Sequence, residues 1–275
     1  MSLIALMTDF GSTDPYVGII KAVMLGIAPD VTLIDLTHAV QPQNIRQAAF
    51  LLRASYHYFP VGTVFLVVVD PGVGTARRAI GVEADGYRFV APDNGVLSGV
   101  LVASTSASVV ELTAPTYRLA RASSTFHGRD IFAPAAAHLA AGVPLKAFGA
   151  QVHNPVMLPL PEPTVTPGSI AGSIIHVDHF GNLITTLGEF QWNSPTQLTV
   201  APPAGDAVLL PSDRVTVVAG GHTLRGIRHT YGEAGRGELL ALIGSSGYLE
   251  ISVNHGSAAD ALKMAIGDRV EIRLS

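Results

Sequence analysis

The 275-residue sequence predicts an α/β N-terminal domain with a mostly parallel central sheet, followed by a smaller all-β domain of sandwich or barrel type. Three observations carry that prediction. Up to about residue 145, short apolar runs alternate with stretches of helical period, the pattern of βαβ units. The run at 63–69, TVFLVVV, is almost continuously apolar and β-branched, as a strand covered on both faces must be. From residue 149 onward helical periods nearly vanish. A Pro-rich stretch, PVMLPLPEPTVTPG, fills 155–168, and brief alternating runs separated by Gly and Pro follow it. The organisation predicted is therefore 1–154 for the α/β domain, 155–168 for an extended linker and 169–275 for the β domain.

Each element has its own signal. Leu3–Met7 is a short apolar strand and Val31–Leu36 a second. Between them Val17, Ile20, Val23, Met24 and Ile27 fall at helical spacing, which predicts a helix over Pro15–Ala28 with Asp14 as its N-cap and Pro15 at its first position. Apolar residues at 45, 48, 49, 52, 56 and 59 predict a helix over Asn44–Phe59, capped by Asn44. Strands at 79–84 and 87–91, a helix at 95–103, a strand at 108–112 and an Ala-rich helix at 130–141 complete the first domain. In the second, strands are expected at 169–178, 183–187, 197–200, 207–210, 215–218, 239–243, 248–253 and 268–274.

Composition narrows the function. Lys and Arg number 17 against 21 Asp and Glu, and a net charge of −4 excludes the basic footprint of non-specific nucleic-acid binding. Charged residues make up only 14% and apolar residues 48%, which excludes disorder and points to extensive burial, including between subunits. No apolar run approaches the roughly 20 residues of a membrane span. The opening MSLIALMTDFG has no basic leader and is interrupted by Asp9, so no signal peptide is expected, and a cytoplasmic location is. Cysteine is absent, which removes disulfide and thiolate chemistry.

Parallel sheets bind ligands beyond the carboxyl ends of their strands. Three polar segments fall there: Thr8-Asp9-Phe10-Gly11, the stretch from Asp70 to Arg78, and Thr125 to Asp130. Each also has a plain structural reading. Asp9 alone suits a turn, Arg77 or Arg78 suits an ion pair with Asp70, and His127 suits a satisfied core position. A carboxylate ending a long apolar strand must be paired or used, and the coincidence of all three segments favours a site. Gly72-Val73-Gly74 lacks the ending of a phosphate loop and reads as a tight turn. In His176-Val177-Asp178-His179 the strand period puts residue 179 on the opposite face from 176 and 178, so no metal site is expected. The segments 178–182, 245–248 and 253–256 read as turns.

Taken in order, TDFG (8–11), VVDPGVGTARR (68–78), APDNGVLS (91–98), TFHGRDIFAPAAAHLA (125–140), HVDHFGNLITT (176–186) and SSGYLEISVNHGSAA (245–259) resemble the S-adenosyl-L-methionine (SAM) hydrolases, also called SAM hydroxide adenosyltransferases. These are relatives of the SAM-dependent fluorinase and chlorinase. The resemblance spans nearly the whole chain. It implies a two-domain homotrimer whose active sites join one subunit's N-terminal domain to a neighbour's C-terminal domain. It also implies attack of water on the ribose C5′ of SAM, giving adenosine and L-methionine without metal or cofactor. Asp70, Arg77 and His127 match the Asp–Arg–His set assigned to water. Asp9 matches the group that holds the ribose hydroxyls. Asp178, with Asp14 second to it, matches the partner of the methionine ammonium. Ser245 and Ser246 match the carboxylate-binding pair, Phe180 and Asn182 the adenine contacts, and Asn254 belongs to the same substrate-binding set. The halogenases carry Tyr, Thr, Tyr and Ser where this chain has Asp70, Val73, His127 and Gly128, which disfavours a halogenase; they carry Trp over the ribose where it has Gln43, which implies an altered pocket wall. Two further alternatives are a non-catalytic SAM or adenosine sensor and a metal-dependent hydrolase using Asp9, Asp70 and His127.

Overall fold

A computed structural model describes residues 2–159, 163–202 and 206–274. The chain divides into two units, Met1–Leu158 and Pro159–Ser275. Unit 1 is a three-layer α/β/α structure. Its strands are β1 (Leu3–Thr8), β2 (Thr32–Thr37), β3 (Val64–Val68), β4 (Ala79–Ala84), β5 (Tyr87–Pro92) and β6 (Ala107–Glu111), in the sheet order β2-β1-β3-β5-β4-β6. The first four strands of that order run parallel, and β4 is antiparallel to both its neighbours.

The two faces of the sheet follow from the two-residue period of its strands. Ile4, Leu6, Val64, Leu66 and Val68 face one core with Ile20, Met24 and Phe132. Ala5, Met7, Phe65 and Val67 face the other with Ala48, Leu52 and Val100. The helices α1 (Tyr16–Ile27) and α4 (Ala133–Ala140) therefore cover one side, and α2 (Ile45–Ser55) and α3 (Ser98–Ala103) the other. All five residues of β3 are buried, as its continuous apolar run predicts.

Several boundaries differ from the sequence expectation. Pro15 itself occupies the N-cap of α1, and no side chain caps it. Asp14 therefore sits one residue too early to reach the free N–H groups of the first turn, and it is exposed. Asn44 does cap α2, accepting from the Gln47 N–H at 3.0 Å. The helix expected over 44–59 tightens into a 3₁₀ turn at Tyr56–Tyr58. The Ala-rich helix starts earlier than expected, with a π-helical turn at Gly128–Phe132 leading into α4.

Unit 2 is antiparallel throughout its described ladders. Its strands are β7 (Thr164–Thr166), β8 (Ser169–Val177), β9 (Leu183–Ser194), β10 (Gln197–Ala201), β11 (Val208–Pro211), β12 (Val215–Ala219), β13 (His222–Arg225), β14 (Leu239–Ile243), β15 (Tyr248–Val253) and β16 (Arg269–Leu274). Strand β8 pairs with β16 through Ser169–Ser173 and with β9 from Ile174 onward, the strand-sharing by which a sandwich turns a corner. Strand β13 and the short helix α5 (Ala258–Leu262) carry too few periodic residues to be seen in the sequence. Within the stretch expected to be linker, the Val156 N–H is bound by Asp93 and the Leu158 N–H by Ser98. Further on, β7 pairs with β8, and residues 160–162 lie outside the described residues. Among the described residues no helix is long and apolar enough to cross a membrane.

Leu66 is fully buried at the centre of the parallel sheet. Leu66→Ala should lower the unfolding free energy by about 2–5 kcal/mol in urea titration. A loss below about 1 kcal/mol would mean that the sheet centre is not the tightly packed layer described.

Candidate active site

The parallel strands of unit 1 end at one edge of the sheet. Asp9 follows β1, Asp70 lies two residues beyond β3 and Asp93 follows β5. Because β4 runs the other way, its start lies at the same edge, and Arg77 and Arg78 immediately precede it. Topology alone thus gathers three carboxylates and two guanidiniums. The two arginines then divide. Arg77 Nε donates to Asp70 Oδ1 at 2.9 Å and Oδ2 at 3.0 Å, and Nη2 also reaches Oδ2. Arg78 instead binds the buried Asp93, Nε to Oδ2 at 2.7 Å, and the Asn154 carbonyl.

His127 arrives from the other side of the edge, at the head of the π-helical turn. Its Nδ1 lies 2.8 Å from Arg77 Nη2. A guanidinium only donates, so Nδ1 is the acceptor and the ring hydrogen sits on Nε2. Burial, and next the Arg77 charge, push the imidazole below its ordinary pKa, in keeping with a neutral ring. The Asp70 and Arg77 side chains are only 6% and 11% exposed, so the ion pair has little water to screen it. Arg77 also lies 5.0 Å from the centre of the Phe132 ring, which supports the guanidinium from the helix side.

A cavity of about 280 Å³ opens beside this cluster. Asp9, Gln43, Asp70, Thr125 and His127 give its polar lining, and Phe10, Val68, Val73 and Phe126 its apolar lining. Gly74 is needed where the loop from Asp70 to Arg77 meets the loop before His127. It sits at φ +78°, and a side chain there would collide with the Ser124 carbonyl. The Gly72–Gly74 stretch is the tight turn expected, with Thr75 N–H bound to the Gly72 carbonyl at 3.2 Å.

In unit 2, Asp178, Phe180 and Asn182 share the turn between β8 and β9. Asp178 Oδ1 accepts the Phe180 and Asn182 N–H groups, each at 2.9 Å, and Oδ2 accepts Asn182 Nδ2 at 2.9 Å. Asn182 is buried, while Phe180 is 72% exposed and presents its ring to solvent. Ser245 and Ser246 form the turn between β14 and β15. Asn254 Nδ2 binds the Ala234 carbonyl at 2.7 Å. Asp14 makes no cap and joins no described cluster of the unit 1 site. Among the described residues, no group of three or more His, Asp or Glu side chains is placed to hold a metal ion.

The N-terminal domain of the SAM hydroxide adenosyltransferases matches residues 4–149, and the C-terminal domain of the same family matches residues 172–271. The chain belongs to the SAM hydroxide adenosyltransferase family. It is 39% identical to the (R)-S-adenosyl-L-methionine hydrolase of Thermus thermophilus, over 99% of this chain and all of that one. The fluorinase of Actinopolyspora mzabensis is more distant, 28% identical over 99% of this chain and 97% of its own. A crystal structure of an uncharacterized conserved protein from Thermotoga maritima has 37% identity and a TM-score of 0.86, over 98% of this chain and 99% of that one.

Two groups of this SAM hydroxide adenosyltransferase escaped the sequence reading. Asp130, fully buried in the π-helical turn, accepts the Ser123 N–H at 2.7 Å and Arg129 Nε at 2.6 Å. Arg129 in turn lies 5.3 Å from the Phe126 ring, so one carboxylate gathers the loop that delivers His127. Its signal was the acid beside TFHGR, which the sequence reading placed in the polar segment at 125–130 and at the start of a helix without giving it a role of its own. The second group surrounds His38, after β2; the rule of strand carboxyl ends, applied to β2 as well, would have found it.

Arg77→Met should lower stability by about 3 kcal/mol, because it strands the Asp70 charge in a dry site. The double variant Asp70→Asn/Arg77→Met should recover most of that loss in chemical denaturation. Simple additivity of the two substitutions would contradict the coupling described.

Proposed function

We propose that the protein hydrolyses SAM to adenosine and L-methionine by attack of one water on the ribose C5′. The arrangement of Asp70, Arg77 and His127 on the wall of the unit 1 cavity carries this reading. The near full-length similarity to a protein named (R)-S-adenosyl-L-methionine hydrolase supports it.

The chemistry asks little of an acid. The C5′–S bond breaks with its electron pair going to sulfur, and the cationic sulfonium becomes the neutral thioether of methionine. The new C5′–O bond leaves one proton to be lost from the attacking water. Positioning that water opposite sulfur supplies most of the rate. His127 Nε2–H donates to the water oxygen. Its Nδ1 lone pair is engaged by Arg77, so the imidazole has none to offer a proton. Asp70 therefore accepts the hydrogen bond and then the proton from water. Arg77 holds both partners in place.

Asp9 accepts from the ribose 2′- and 3′-hydroxyls, since one carboxylate offers two oxygens to a vicinal diol. Phe180 and Asn182 contact adenine. Asp178, with Asp14 second, holds the methionine ammonium, and Ser245 and Ser246 hold its carboxylate, with Asn254 in the same set. Val73 and Gly128 offer no side-chain donors with which to strip and hold a halide, so water is the nucleophile. No metal or cofactor takes part, because the leaving group is already activated. The enzyme works in the cytoplasm as a homotrimer; its low charge content supports large buried subunit interfaces.

Incubation with SAM should release adenosine and methionine in equal amounts, unaffected by chelators and without a 5′-halo product in fluoride or chloride. Asp70→Asn and His127→Ala should each lower kcat by about 10²-fold or more while adenosine affinity stays nearly constant. Parallel loss of affinity would make both residues structural. The pH profile has a definite sign. His127 is held below the ordinary histidine value of 6.5, so kcat/KM should persist as pH falls through 6.5 and decline only below it. A falling limb centred at or above 6.5 would contradict a neutral, guanidinium-bound imidazole.

A further inference from the structure

The turn that carries Asp9 rests on a chain of side chains with no part in the mechanism above. Lys21 Nζ, on α1, donates to Asp35 Oδ2 at 2.7 Å. Asp35 Oδ1 lies 2.9 Å from His38 Nε2, and His38 Nδ1 lies 2.8 Å from the Thr8 hydroxyl. Thr8 Oγ1 in turn accepts the Phe10 N–H at 3.3 Å. Thr8 is fully buried and the His38 side chain is 12% exposed.

The polarity of this chain follows from its ends. A carboxylate only accepts, so His38 Nε2 carries the ring hydrogen toward Asp35. With one hydrogen on the ring, Nδ1 accepts from the Thr8 hydroxyl, and the Thr8 oxygen accepts from the Phe10 N–H. Each hydrogen is committed, and the imidazole cannot turn without breaking two bonds. The same loop grips the turn twice more. The His38 carbonyl accepts the Gly11 N–H at 2.8 Å. The Gln43 N–H donates to Asp9 Oδ2 at 2.8 Å, from a backbone held at φ +65°. The residues on both sides of Asp9, and one of its own oxygens, are thus held by residues 38–43. Asp9 lines the cavity; Thr8, Asp35 and His38 do not.

We infer that His38 is a positioning residue for substrate: acting through Thr8, it sets the angle at which the Asp9 carboxylate meets the ribose diol. The inference rests on the reading of Asp9 as the ribose-binding group. A vicinal diol needs two acceptors at a fixed spacing, and a carboxylate rotated out of that plane serves only one hydroxyl. With Oδ2 already accepting from Gln43, little freedom remains to compensate. Since none of these side chains reaches the cluster of Asp70 and His127, removing His38 weakens ribose recognition more than the chemical step.

The test compares adenosine with 2′-deoxyadenosine by calorimetry, alongside SAM turnover, in wild type, His38→Ala, His38→Gln and Asp35→Asn. Wild type should prefer adenosine by about tenfold or more. His38→Ala should lose most of that preference and raise KM for SAM by about tenfold, with kcat within about threefold of wild type. His38→Gln, whose amide can donate to Asp35 and accept from Thr8, should retain the preference. Asp35→Asn keeps the shape of the site and should lose part of the preference, so it decides the matter if His38→Ala fails to fold. Should wild type itself not distinguish the two nucleosides, the ribose reading of Asp9 fails and the role of His38 falls with it. If wild type distinguishes them and the variants keep the full preference, or lose affinity for both nucleosides equally, Asp9 keeps its role and His38 is scaffolding alone.

Discussion

One guanidinium organises the site. Arg77 is bidentate to Asp70 and simultaneously a donor to His127, so it fixes a charge and a tautomer in one stroke. Without it, Asp70 is an unpaired carboxylate at a nearly dry strand end, and His127 is free to place its hydrogen on either nitrogen. With it, a donor and an acceptor stand side by side on the cavity wall. That is the arrangement one water needs, with its oxygen aimed and its hydrogen received. The rest of unit 1 serves this placement. The antiparallel β4 brings Arg77 back to the edge where the parallel strands end, and Gly74 lets the Asp70–Arg77 loop touch the loop before His127.

The same economy appears around Asp9, on another part of the cavity wall. There a chain of hydrogen bonds from Asp35 through His38 ends at the Thr8 hydroxyl, beside Asp9 in the sequence. Both arrangements use a histidine whose tautomer is dictated by a neighbour with only one hydrogen-bonding role. For His127 that neighbour is a donor, Arg77. For His38 it is an acceptor, Asp35. Opposite neighbours leave opposite ring nitrogens for the next contact: Nε2–H at His127, on the cavity wall, and Nδ1 at His38, which meets the buried Thr8 hydroxyl away from the cavity.

Much of this was legible before any coordinates. The buried strand β3 is written in TVFLVVV, and its fully buried pattern follows. The clustering of Asp9, Asp70, Arg77 and His127 follows from parallel topology and from where polar residues interrupt apolar runs. Which arginine pairs with Asp70 was open, because Arg77 and Arg78 are adjacent; the direction of β4 sends one to Asp70 and the other to Asp93. Illegible features share a cause in tertiary contact. Asp14 reads as a helix cap until Pro15 takes the cap itself. The π-helical turn at Gly128–Phe132 depends on Asp130 binding the distant Ser123 N–H. The β7 strand hides in Pro-rich sequence because its partner, β8, supplies the pairing.

The central claim is that a water held by Asp70 and His127 attacks carbon, not sulfur or a carbonyl. Hydrolysis of SAM by the pure protein in oxygen-18 water, with both products analysed by mass spectrometry, tests it most directly. The account predicts one labelled oxygen in the 5′-hydroxyl of adenosine and none in methionine. Label in methionine, or an adenosine product without label, would contradict it.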